Sequence, residues 1–341
     1  MSSEVDARAK LTQLAFGHLA THAVAAATRL GVLDAFDGGQ LTFEELARRC
    51  ATDPEATLRL SRALAGLGLV EETDAGVFTL TDVGALLRSD RPDSVRELAL
   101  MFADPTMVRA WERLDDSVRT GDVAFDAVFG TDFFSYLGTQ PELSTQFNKA
   151  MSQGTRAVAA ALPGAYDFAR FETLTDIGGG DGTLLAAVLR EHPTVRGVLF
   201  DTADGLAESG PVLEPFGERC STRTGDFFAA VPEGADGYLI KSVLHDWDDQ
   251  KCVTILRNCR AVLPDDGRVL ILEPVLPETV TGEASPITYL SDLNMMVNVG
   301  GKERTRSGFQ KLLAEAGFTL VDATPLPAPA ASFWLLEAVP A

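Results

Sequence analysis

The chain has 341 residues, 46% of them apolar, and a formal net charge of −20, enough length and apolar content for two cored domains. So acidic a surface repels nucleic-acid phosphates and anionic lipid, leaving small neutral or cationic molecules and other protein chains as partners. No run reaches the ~20 apolar residues of a membrane span. MSSEVDARAK shows no secretory or transit signature, and Cys50, Cys220, Cys252 and Cys259 lack CxxC spacing, so a cytoplasmic protein with reduced thiols and no zinc site is expected.

In chain order, residues 11–36 are Ala- and Leu-rich with helical apolar spacing, predicting a helix buried by its own domain or by a second subunit. His18 and His22 stand at i, i+4 there; with no acid in HLATH they read as packing or dimer contacts rather than a metal pair. Thr42 with Glu45 is a capping-box signature, and Asp53-Pro54 opens the next helix. LVEETDAGVFTLT follows as a hairpin around Asp74-Ala75-Gly76. Three helices and a hairpin make a winged-helix pattern, which serves either DNA reading or dimerisation. Residues 42–90 hold nine acids against five basic residues, and the candidate recognition helix offers only Arg59 and Arg62. Charge therefore disfavours DNA.

Residues 92–165 read as further helices, with turn or loop signals at Asp104-Pro105, Gly121-Asp122 and Gly138–Pro141. Near residue 172 the texture changes to strand-like runs alternating with helical ones: ETLTDIG, LLAAVLREH, VRGVLFD, GYLIKSVL, DDQKCVTILRNCRAVL, RVLILEPV. That alternation predicts a parallel sheet with helices on both faces, and FTLVDATPL and SFWLLEAV read as a closing strand pair. A helical domain over 1–165 and an α/β domain over 166–341 are expected.

The α/β part opens on TDIGGGDGT, a strand followed by a glycine-rich turn and a helix, which places a ligand at the strands' carboxyl ends. No GK[ST] follows, excluding a P-loop, and the spacing is not the GxGxxG of a dinucleotide site. Asp176 and Asp181 beside the loop would repel a pyrophosphate but favour a cationic ligand. Asp201, nineteen residues past Gly182, can accept both hydroxyls of a ribose, and Asp226-Phe227 can meet an amino-bearing purine. Ribose, adenine and a positive charge without phosphate describe S-adenosylmethionine. The alternative for Asp201 and Asp226 is a capping or turn role.

DIGGGDGT, GDFF, KSVLHDWDD, LEPVLP and GGKERT, in that order and spacing, closely resemble the small-molecule O-methyltransferases of the caffeate and hydroxyindole type, in their bacterial natural-product branch. FNKAMS at 147–152 matches the FNxxMS motif of that family's linking helix. The resemblance covers nearly the whole chain. It implies a Rossmann-like class I methyltransferase domain with a mostly parallel seven-stranded sheet, preceded by a winged-helix dimerisation domain. A homodimer is then expected, using S-adenosylmethionine on a phenolic hydroxyl of an aromatic natural product. By resemblance, Gly178, Asp201, Asp226, Phe227 and Lys241 bind the donor, with Asp176, Gly180 and Ser242 beside them. His245 is the general base, flanked by Glu273 and Glu303. Phe147, Met151, Trp247, Asn294 and Asn298 line the acceptor pocket, and no metal is implied. YLSDLNMMVNV departs from the plant phenylpropanoid pattern, so the acceptor is not read from it.

Methyl transfer needs alignment and removal of one proton. A phenol near pKa 10 facing a free imidazole near 6.5 is uphill by roughly 3.5 units, or ~5 kcal/mol. Of the four histidines, His245 alone sits between an apolar strand and the acidic turn HDWDD, while His192 in REHP ends a helix. Other readings are a cofactor-retaining relative performing hydroxylation, decarboxylation or cyclisation, a winged-helix regulator, and an NAD-dependent dehydrogenase. The histidine with its two glutamates argues against the first, net charge against the second, and Asp181 against the third.

Overall fold

A computed structural model describes residues 2–280 and 285–341. The chain divides into two compact units, Met1–Val108 and Arg109–Ala341.

In the first unit, helices α1 (Ser2–Ala15) and α2 (Gly17–Arg29) replace the single helix expected over 11–36. The break falls at Phe16, just before Gly17, a weak helix former. Leu11, Leu14, Phe16 and Leu19 are exposed on this chain, whereas Ala25 and Ala27 are buried. His18 and His22 are exposed as well. Strand β1 (Leu41–Thr42) precedes helices α3 (Phe43–Cys50) and α4 (Pro54–Gly66), then strands β2 (Val70–Asp74) and β3 (Val77–Leu80). Thr42 accepts the Glu45 N–H and Asp53 the Ala56 N–H, caps worth about 1 kcal/mol each. The three strands pair antiparallel in the order β1-β3-β2, over a core that includes Phe36, Leu46, Leu64 and Phe78. The winged-helix pattern is thus present. Its Arg62 is paired with Glu72 at 3.0 Å, so little free positive charge faces outward there.

The second unit begins with short helices and the long helix α5 (Pro141–Ala165), so the change of texture near 165 falls inside it. Its sheet comprises β4 (Thr173–Ile177), β5 (Arg196–Asp201), β6 (Cys220–Thr224), β7 (Gly237–Lys241), β8 (Arg268–Leu276), β9 (Arg304–Thr305), β10 (Phe318–Pro325) and β11 (Phe333–Pro340). The path runs β10-β11-β8-β7-β4-β5-β6, with β9 beside β8; β11 alone is antiparallel to its neighbours. Successive strand residues face opposite sides. Tyr238, Ile240, Val269 and Ile271 pack with helices α7 (Asp249–Val262) and α9 (Arg306–Glu315). Leu239, Leu270 and Leu272 pack on the other side, with α5 and α6 (Thr183–Glu191). Helix α8 (Pro286–Asn298) lies between β8 and β9 in sequence.

Strand order reverses at β4: β5 and β6 extend one way, β7 and β8 the other. In sheets of this topology, ligands bind at the strands' carboxyl ends beside that reversal. No helix among the described residues is long and apolar enough to cross a membrane.

Candidate active site

The glycine loop leaves β4 with Gly178 at φ +68° and Gly180 at φ +58°, left-handed conformations that cost an L side chain strain. A Cβ at Gly178 would lie 2.7 Å from Val243 Cγ2, so only glycine lets the loop sit beside the segment after β7. A Cβ at Gly180 would meet nothing within 4 Å, which leaves that face open to a ligand. The Gly180 N–H donates to Asp201 Oδ2 at 2.8 Å and the Thr202 N–H to Oδ1 at 2.6 Å. Asp201 therefore shapes the loop itself. Each carboxylate oxygen still has a lone pair for a hydroxyl.

Asp176, next to last in β4, is buried, its Oδ2 without a hydrogen-bond partner. Burial, then the Asp201 carboxylate, push its pKa up to about 7 against the pull of Lys241, with Asp181 adding a smaller push. Asp181 accepts from the Ser152 hydroxyl of α5 at 2.6 Å and from the Thr183 N–H, tying the linking helix to the loop. Lys241 donates to Ser242 Oγ at 3.0 Å, with its Nζ 5.3 Å from the Phe333 ring centre. Burial lowers its pKa, while Glu273, Asp176 and Asp246 oppose that. Asp226 is exposed and its Oδ1 accepts the Phe228 N–H, which gives it a turn role. Asn258 of α7 donates to the Phe227 and Phe228 carbonyls and fixes that loop. The open Gly180 face, the unpartnered Asp176 oxygen and three clustered carboxylates fit a cationic donor without phosphate.

Beside the loop, Ser242 takes φ +52° and a 3₁₀ turn, Leu244–Asp246, carries His245. Glu273 of β8 is fully buried; its Oε1 accepts the Val243 and Leu244 N–H groups at 3.1 and 3.0 Å. Its Oε2 lies 3.4 Å from His245 Nδ1, and Glu303 Oε1 lies 3.2 Å from the same nitrogen. Ser291 of α8 donates to Glu303 Oε1 at 2.8 Å, and the Glu303 N–H donates to Asp292. Nε2 is left with Asp246 Oδ1 at 3.7 Å, beyond hydrogen-bond distance. Burial lowers the imidazole's proton affinity, but Glu273, Asp246 and Glu303 outweigh it and push the pKa up to about 10. Burial likewise raises Asp246 to about 7 despite the attraction of His245. For the neutral form of this imidazole, proton transfer from a phenol is then no longer uphill.

The three catalytic candidates thus meet. Phe147 packs edge-on against Phe133 and Phe134, and Phe134 lies 5.2 Å from Trp247. Trp247 also meets Phe227 and Phe228 edge-on, so a continuous aromatic wall runs from the candidate purine contact to the candidate acceptor contact. Met151 is half-buried on α5. Asn294 and Asn298 are buried on α8, where Asn294 Oδ1 accepts from both Trp111 Nε1 and Asn298 Nδ2. Asn258, Ser291, Phe134 and Trp111 carried no sequence signal, because each reaches the site only through the fold; Ser152 closes the FNKAMS motif, where no role was read for it.

The O-methyltransferase domain family matches residues 111–319, and the O-methyltransferase dimerisation domain family matches residues 12–90. O-Demethylpuromycin-O-methyltransferase of Streptomyces alboniger is 45% identical over 345 residues, covering 99% of this chain and 91% of its own. The solved structure of LaPhzM superposes with a TM-score of 0.90 at 40% identity, covering 98% of this chain and 99% of that one. That of NcsB1 from neocarzinostatin biosynthesis, in complex with S-adenosylmethionine and 2-hydroxy-5-methyl naphthoic acid, gives 0.77 at 30% identity, covering 94% and 96%. The chain belongs to this family and is an S-adenosylmethionine-dependent O-methyltransferase.

Proposed function

We propose that the enzyme methylates a phenolic hydroxyl of an aromatic natural product, with His245 as general base. One observation supports this most: an imidazole whose Nδ1 is held by two buried glutamates while Nε2 has no hydrogen-bond partner. In the neutral form of this imidazole, hydrogen bonding at Nδ1 puts the remaining proton on the glutamate side, and Nε2 carries the lone pair that takes the acceptor's proton. When bound, S-adenosylmethionine supplies an activated methyl on a sulfonium. Asp176, Gly178, Gly180, Asp201, Asp226, Phe227, Lys241 and Ser242 are the residues proposed to hold it. Asp201 would take the ribose hydroxyls, and Phe227 would stack on the purine. Phe147, Met151 and Trp247 would flatten the acceptor against the aromatic wall, while Asn294 and Asn298 supply polar contacts. Among the similar proteins, an O-demethylpuromycin-O-methyltransferase and an enzyme in complex with 2-hydroxy-5-methyl naphthoic acid, the second supports an aromatic acceptor.

A proton near Nε2 is shared between partners of matched affinity, since phenols and this imidazole both titrate near 10. Neutral imidazole with phenol and imidazolium with phenolate are then nearly equal in energy, and either pair places the acceptor oxygen for attack.

The direct test supplies donor labelled at its methyl carbon together with a panel of hydroxylated naphthoates, benzoates and phenazines. The expected product is a labelled aryl methyl ether. A product that is hydroxylated, decarboxylated or cyclised, with no label transferred, would instead favour the cofactor-retaining reading.

A further inference from the structure

The segment that presents His245 has no regular ladder to hold it, yet its position is fixed on both sides. On one side Glu273 Oε1 takes the N–H groups of Val243 and Leu244. On the other stands Arg304, a residue that in GGKERT reads as one more solvated charge. Its side chain is only 3% exposed. One terminal nitrogen donates to the Leu244 carbonyl at 2.8 Å and to the Lys302 carbonyl at 3.2 Å. The other donates to the Trp247 carbonyl at 2.9 Å and to Asp249 Oδ1 at 2.8 Å, and Nε donates to the same Asp249 oxygen at 3.0 Å.

A guanidinium has five N–H donors in a fixed plane, and here all five have acceptors. Two of the three peptide carbonyls it holds, those of Leu244 and Trp247, bracket His245 in sequence. The counter-charge is shared: Lys302 Nζ reaches Asp249 Oδ2 at 2.7 Å. Glu303, between these two cations, is the residue that meets Nδ1. The backbone is equally tight, since a Cβ at Gly301 would fall 1.9 Å from the His245 carbonyl oxygen.

We propose that Arg304 is a positioning residue for the methyl transfer: it clamps the peptide around His245 so that the imidazole meets Glu273 and Glu303. Lysine at this place would keep the charge but offer one point donor in place of a planar fork, leaving at least one of the two carbonyls unheld. The ring would then move away from the carboxylates that raise its proton affinity. The charged groups around it are Glu273 from β8, Glu303 ahead of β9, Asp246 on its own turn, and Lys241 at the end of β7. Asp246 moves with the clamped turn, whereas Glu273 and Glu303 stand on other elements, so the clamp sets the distances to the glutamates. The idea builds on the reading of His245 as base, but its test reads geometry and would stand even if that reading failed.

The test is an NMR titration of the full chain labelled in histidine. There are four imidazoles, and the His245 signal is the one lost in His245→Asn. In the wild type its midpoint is expected near 10. In Arg304→Lys it is expected to fall by about one unit or more toward the free value near 6.5, while the other three signals stay in place. An unchanged midpoint in a folded Arg304→Lys protein would overturn the proposal. Should that variant not fold, Asp249→Asn, which releases the guanidinium from its half-exposed anchor, decides the matter. A smaller fall in the midpoint is then expected, and no change would overturn the proposal.

Discussion

At the scale of single residues, the site is a set of acids whose roles differ by what already binds them. Glu273 and Glu303 are occupied by backbone and hydroxyl donors on one oxygen each and face the imidazole, so they orient and charge it rather than exchange with solvent. Asp201 has two backbone donors, yet sits where a ligand can still reach it. Burial raises its pKa, and the Gly180 and Thr202 N–H groups pull it back down. Asp201→Ala should weaken S-adenosylmethionine binding by about 10- to 100-fold in calorimetry, the worth of hydrogen bonds to a charged acceptor. Unchanged affinity would mean that the ribose is held elsewhere.

At the scale of elements, what was legible in the sequence is what local chemistry dictates. Thr42 and Asp53 cap their helices as read, Gly76 turns the hairpin, and four of the six parallel strands of the sheet, β4, β5, β7 and β8, follow apolar runs. His192 caps the end of α6. Strand β6, CSTRT, had no such signal because it is an edge strand with four exposed residues in succession. Strand β9 is two residues long and exists only through its pairing with β8. Helices α1 and α2 were read as one because their shared apolar content hides the break at Phe16. Within the site, His245 and its glutamates were legible from strand ends and from family resemblance. Arg304 was not, because an arginine between polar neighbours gives no sign of burial until β9 and the turn after β7 are brought together. The rise of the imidazole's proton affinity was equally hidden, since Glu273 and Glu303 lie 28 and 58 residues from His245 in sequence.

For the whole molecule, the net charge of −20 and the acids of the crevice favour a cationic donor and disfavour polyanions. The dimerisation domain has its own expression in the exposed side chains of the first helices: Leu11 and Leu14 are 69% exposed and Phe16 is 59% exposed. With Leu19 these side chains cluster over nine residues and need a cover, which a second copy would supply. Light scattering at micromolar concentration should therefore give the mass of a dimer; the mass of one chain would contradict that. The central claim concerns the proton, and it is tested by the turnover of His245→Ala on a phenolic acceptor between pH 7 and 9. In that window the wild-type imidazole sheds its proton increasingly as pH rises toward its midpoint, so the wild-type rate should climb. The variant should turn over about 10²- to 10⁴-fold more slowly while binding S-adenosylmethionine as before. Wild-type turnover in the variant would show that alignment alone carries the reaction and would contradict the account.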